Sequence, residues 1–286
     1  LRFYEHSSRK AAWSYRLSAL ALLVFLGAFL WHRFMGLPTP LALKILGAAA
    51  GGALVSLVLA VAALVSIWNE GYQGAGRAFF AVLLNAAVLA VPLWSLPNLL
   101  TLPRLYEVTT DPASPPAFDR IARIRQGLAN PSHYNAAFIP LQTAAYPDIK
   151  PLFIQRPIVD VYTIVRDAVK ALNWKVVDEQ TPEAAKNGYM EAVARTLLFG
   201  FTDDVAIRVT ALSKGTRIDI RSSSRFGGHD LGRNAQHIRS FTREVRVRLA
   251  DLEKNERIER VVAGRLEDNQ KSPPGARPAK RRNEDD

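Results

Sequence analysis

Arginine and aspartate recur through residues 203–225 in a pattern that could grip an anion or hold a reactive carboxylate. Side chains two apart along a strand share a face. Asp204, Ala206, Arg208 and Thr210 therefore line up with Arg217, Asp219, Arg221, Ser223 and Arg225 once the two runs pair as a hairpin. Val205, Ile207, Val209, Ile218 and Ile220 take the opposite face, toward a core. Guanidinium groups in such a row bind phosphate or carboxylate through forked hydrogen bonds. Arg208, Arg221 and Arg225, with Asp203 and Asp204 beside them, form the candidate anion site. Its ligand would be an anionic lipid, a glycan or an envelope protein. Two other readings stand beside it. The face is a salt-bridged solvent surface with no ligand, as in a scaffold subunit whose last amphipathic helix extends towards a partner, or an Asp203/Asp204 carboxylate is the general base of an enzyme acting on a lipid or envelope precursor.

The turn decides which residues oppose each other. With Lys214-Gly215 as a two-residue loop, Arg208 lies opposite Arg221 and Asp204 opposite Arg225. Two facing arginines repel unless an anion or carboxylate sits between them, with Asp203, Asp219 and Glu191 as candidates. With Ser213-Lys214 as the loop, Arg208 faces Asp219 as a simple ion pair. Both registers keep the apolar residues together, so the hydrophobic pattern leaves the choice open.

Other chemistry is poorly supplied. Ser222, Ser223 and Ser224 have His229 and His237 nearby, but no G-x-S-x-G elbow presents a nucleophile. Adjacent Asp203 and Asp204 point to opposite faces of a strand, which argues against a shared metal. The chain has no cysteine, which removes thiolate zinc and iron–sulfur sites. Gly227-Gly228 ahead of Asp230 reads as a turn into a helix rather than an anion nest. Phosphate-loop and dinucleotide motifs are missing. No cofactor and no metal is expected.

Stepping along the chain, the hairpin needs partners to position it. Pro157 can open a helix, followed by Ile158, Val161, Tyr162, Val165, Val169 and Leu172 at helical spacing. Residues 174–179 and 189–199 read as further strands, the latter after an Asn187-Gly188 turn. Asp230 can cap a last helix, whose stripe runs Leu231, Ala235, Ile238, Phe241, Val245, Leu249 and Leu252. Helices beside antiparallel strands predict an α+β domain over residues 151–262. Residues 101–150, rich in proline, read as an ordered approach segment, and residues 263–286 as a disordered charged tail.

Residues 11–100 carry only Arg16, Arg33, Lys44, Glu70 and Arg77 as charged side chains. Apolar runs at 17–31, 41–68 and 78–100 predict three membrane-spanning helices within residues 1–100. No carboxylate or histidine lies deep in a run, which argues against a transporter. The small-residue stretch Gly47-Ala48-Ala49-Ala50-Gly51-Gly52-Ala53 fits packing against the other two helices better than dimerisation. Arg2, Arg9, Lys10 and Arg16 before the first run outnumber Arg33 and Lys44 after it. That bias places the N-terminus in the cytoplasm and the domain outside, in the periplasm if the membrane is a bacterial inner membrane. The net charge of +11 is partly these flanks, so it does not point to nucleic acid.

The runs Phe199-Gly200-Phe201-x-Asp203-Asp204-Val205-x-Ile207-Arg208-Val209 and Asp219-x-Arg221-Ser222-x-Ser224-Arg225-x-Gly227-x-x-Asp230-Leu231-Gly232-x-Asn234-Ala235 are long and ordered. With Glu191-Ala192, Thr110-Asp111-Pro112, Phe118 and Tyr146-Pro147-Asp148-Ile149, they resemble the bacterial family called domain of unknown function 1499. The resemblance covers roughly residues 104–250. It implies a membrane-anchored envelope domain. It brings no activity, substrate or cofactor, and its polar positions coincide with the charged hairpin face.

Overall fold

In the computed structural model, residues 7–125, 127, 129–182 and 187–271 are described. Three helices come first: α1 (Arg9–Met35), α2 (Thr39–Glu70) and α3 (Ala75–Thr101). Each is long and apolar enough to cross a membrane. The Ser8 hydroxyl accepts the Ala11 N–H and starts α1, which Gly36 closes in the left-handed conformation. That cap carries α1 well beyond its short apolar run. Ala11, Ala49, Ala53, Ala63 and Ala78 pack inside the bundle. Of the small-residue stretch, Gly47 and Gly51 face outward while Ala49 and Ala53 face in, so half of it packs as expected. Midway, the Asn85 amide donates to Ser56 Oγ (3.0 Å), which donates to the Ser14 carbonyl (2.8 Å), a polar tie between all three helices.

The domain is a single antiparallel sheet with its two long helices on one face. Its strands are β1 (Glu107–Thr109), β2 (Leu152–Ile154), β3 (Lys175–Gln180), β4 (Gly188–Arg195), β5 (Thr202–Leu212) and β6 (Gly215–Ser224). The order is β1-β6-β5-β4-β3, and β2 shares the outer edge of β6 with β1. Short helices α4 (Arg120–Ile124) and α5 (Ile139–Ala145) precede α6 (Ile158–Ala171), and α7 (Arg233–Lys271) ends the described chain. Val161, Val165 and Val169 of α6 and Ile238, Phe241 and Val245 of α7 meet Met190, Ile207 and Ile220 in the core. The α+β expectation is met.

Leu212 pairs with Gly215, so Ser213-Lys214 is the hairpin loop and Arg208 lies opposite Asp219. Gly215 sits at φ +107°, and a Cβ there would collide with the Ile154 carbonyl oxygen of β2. Edge packing of β2 thus accompanies the register that apolar pattern left open.

Two boundaries differ from expectation. Residues 101–150 supply β1 to the same sheet and fold back over its charged face, so this segment belongs to the domain. A three-residue edge strand carries too little pattern to be read as one. Helix α7 runs through Lys271, so the first part of the expected tail is helical; residues 272–286 lie outside the described residues.

The domain stands on one end of the bundle. The Phe201 ring packs at 5.2 Å from His32 near the end of α1, and Asn98 of α3 donates to the Leu231 carbonyl (3.4 Å). β5 carries the sheet roughly 35 Å from there to the hairpin loop. α7 runs the same way, since Arg233 pairs with Asp203 at the near end and Glu256 pairs with Arg156 at the far end. From Glu256 to Lys271 it extends for roughly another 22 Å.

Candidate functional site

The charged face of β5–β6 is roofed. Phe118 and Ile121 of the folded-back segment pack on Val193 and Ala206. Around that apolar patch each arginine meets a carboxylate of its own chain.

Arg221 is the most enclosed. It is 1% exposed, and its Nε and Nη2 donate to Oε2 of Glu107 at 3.0 and 2.5 Å. Nη1 donates to the Pro116 carbonyl and Nη2 to the Ser132 carbonyl. Its guanidinium lies 4.6 Å from the Phe118 ring and 5.5 Å from the Tyr134 ring. The other oxygen of Glu107 accepts the Asn135 N–H. Burial, with Glu107 nearby, pushes the Tyr134 phenol up to about 12.

Asp204 is shared. Arg225 donates to both of its oxygens (2.7–3.0 Å), and Arg125 Nε donates to Oδ2 at 2.8 Å. Arg125 also holds the carbonyls of Asn130 and Pro131. Burial pulls the Arg125 pKa down, and the Asp204 charge opposes that. Asp219 takes Arg208 and Arg217, and Asp111 bridges the same two arginines from above at 3.2 and 2.7 Å. Glu191 accepts the N–H groups of Asp119 and Ile121 at 2.5 and 2.6 Å, filling orphan donors at the start of α4. Burial and the Glu191 charge raise the Tyr189 phenol.

Asp203 lies on the other side of the sheet. It accepts from His237 Nε2 at 3.1 Å and stands 3.7 Å from Arg233. The structure therefore brings Asp204 and Arg225 together, sets Arg208 on Asp219 and Arg221 on Glu107, and keeps Asp203 apart from them. Glu107, Asp111 and Arg125 were missed in the sequence reading. Of these only Asp111 belongs to the ordered motif quoted above, and the prolines around it read as an approach segment outside the domain.

Chemically, the unit is a closed ion-pair network. Both oxygens of Asp204 already accept charged donors, and a buried carboxylate so held has no lone pair aimed at a substrate. Arg208, Arg217 and Arg225 show only 26%, 30% and 21% of their side chains at the rim. Among the described residues no group of His, Cys, Asp and Glu is arranged to hold a metal ion. A groove of about 790 Å³ lies away from this face, between residues 148–152 and α7, with Lys150, Arg243, Arg246 and Val247 on its walls.

No curated protein and no solved structure matches the chain. Residues 107–245 match the family described as protein of unknown function (DUF1499). That span runs from Glu107, which closes on Arg221, into α7, so the match contains the whole ionic network. The α+β domain of this chain belongs to the DUF1499 family.

Proposed function

We propose that the protein is a non-enzymatic scaffold or binding module of the bacterial cell envelope. Its helices span the inner membrane, its N-terminus is cytoplasmic and its domain is periplasmic. Arg9, Lys10, Arg16 and Arg77 at the N-terminal end of the bundle support that orientation, against Arg33, Lys44 and Arg104 at the other. One observation carries the non-enzymatic reading: the residues able to bind or react are spent on one another inside the domain. An anionic lipid, glycan or envelope protein would reach only the rims of Arg208 and Arg225. A protein partner finds more on the projecting turns of α7, where Ile258, Val261 and Val262 are 51%, 54% and 50% exposed.

The test is Asp204→Asn, melted in detergent beside the parent. A structural Asp204 leaves two arginines under-compensated, an expected loss of ~3 kcal/mol or more and of about 10 °C in Tm. A residue held for catalysis is commonly kept at the expense of stability. An unchanged or raised Tm would overturn the reading and return Asp204 to the enzyme alternative.

A further inference from the structure

The loop between β4 and β5 is built to push two leucines outward and to set a phenylalanine against α1. The Thr196 N–H donates to the Phe201 carbonyl, and the Gly200 N–H donates back to the Thr196 carbonyl. The Phe201 N–H also donates to Thr196 Oγ1 at 3.0 Å. Gly200, at φ +75°, turns the chain in the region that disfavours a side chain, with the Arg33 stem against it. The loop is thus closed at its neck, and Leu197-Leu198-Phe199 forms its tip.

Leu197 is 95% exposed and Leu198 is 57% exposed. In water such a tip is unfavourable, since apolar surface is worth roughly 25 cal/mol per Å² when covered. Its surroundings say what covers it. The Phe199 ring meets Phe29 edge-on at 5.4 Å and Phe25 at 6.5 Å, both on α1. Phe199 also stacks on Phe201 at 5.4 Å. Phe25 lies six residues before Trp31, where the apolar run of α1 ends, a depth of ~9 Å at 1.5 Å per residue. A loop that touches a spanning helix at that depth is below the headgroups.

We propose that the Leu197-Leu198-Phe199 tip enters the acyl-chain region of the leaflet beneath the domain. Its partner is the lipid bilayer. The loop is then a second membrane contact, independent of the covalent link at Thr101. It fixes the domain flush on the membrane and sends α7 away from it. The inference rests on α1 spanning the bilayer, not on whether the domain is a scaffold or an enzyme.

The chain lacks cysteine, so single cysteines report cleanly. Leu197→Cys, Lys214→Cys and Leu23→Cys, each carrying an environment-sensitive NBD fluorophore, are reconstituted in phosphatidylcholine–phosphatidylglycerol vesicles. Lys214 marks the far hairpin loop, and Leu23 is 69% exposed on the surface of α1. The probe at 197 is expected to emit at shorter wavelength, lose most of its intensity to doxyl-labelled lipid and resist aqueous iodide. The probe at 214 is expected to do the reverse. Quenching of the 197 probe by iodide alone would overturn the proposal. So would its resistance to both quenchers, which would mean protein covers the tip, such as a second copy of the chain. Lipid quenching at 23 separates these outcomes from a failure of α1 to span.

Discussion

The two faces of the β5–β6 hairpin are covered by opposite means. Val205, Ile207, Val209, Ile218 and Ile220 meet α6 and α7 in an apolar core. Asp204, Arg208 and Arg221 meet a folded-back segment in an ionic one. An apolar contact tolerates small losses, because neighbours relax around a missing methylene. A buried ion pair does not, because removing one partner leaves a charge with neither water nor a counter-ion. One hairpin thus has a graded face and an all-or-none face.

The sharpest way to break that contrast is Arg221→Met. It strands Glu107, whose side chain is fully buried, at an expected loss of ~3–5 kcal/mol. Ile207→Val, the apolar benchmark, should lose only ~0.5–1.5 kcal/mol in the same denaturant titration. Adding Glu107→Leu to Arg221→Met should return much of the loss, because an apolar pair needs no counter-ion. A parent-like Arg221→Met protein would remove the distinction between the faces.

A smaller effect sharpens it. The Tyr134 hydroxyl is buried with no hydrogen-bond partner among the described residues, while its ring faces Arg221. Tyr134→Phe keeps the ring and removes the unsatisfied group, so stability should hold or rise, by up to ~1 kcal/mol. The pH dependence has a definite sign. The folded phenol sits at about 12 against 10.0 unperturbed, so the unfolded chain loses its proton first. The contribution is whole below pH 10 and is lost as pH rises toward 12. Melts at about pH 9 and about pH 11 should therefore differ less in Tyr134→Phe than in the parent. An equal difference would mean that this phenol is not shielded.

The apolar face was legible in the sequence because alternation in Val205, Ile207 and Val209 has a fixed meaning in a strand. The three long apolar helices were legible for the same kind of reason, since length and apolarity suffice to predict them. The ionic face was legible only in outline. Asp204, Arg208, Arg221 and Arg225 could be placed on one side, but their partners Glu107, Asp111 and Arg125 stand far back in the chain. No periodicity links an arginine to a carboxylate 79, 97 or 114 residues away. The prolines at 112, 115 and 116 hid the cover by reading as a linker, although a chain without regular structure can still pack. The hairpin register was undetermined for a related reason: the contact that accompanies it, β2 against Gly215, is also remote.

The central claim is that the segment before Arg125 is a fixed lid on the ionic face. Amide hydrogen exchange at Asp119 and Ile121 tests it most directly, because both N–H groups donate to the buried Glu191 carboxylate. First-turn amides of a short helix ordinarily have no partner in the helix and exchange fast. Here both should exchange slowly, on the scale of the strand amides of β5 and β6. Exchange at the rate of an unstructured chain would contradict the account, because the arginine face would then stand open.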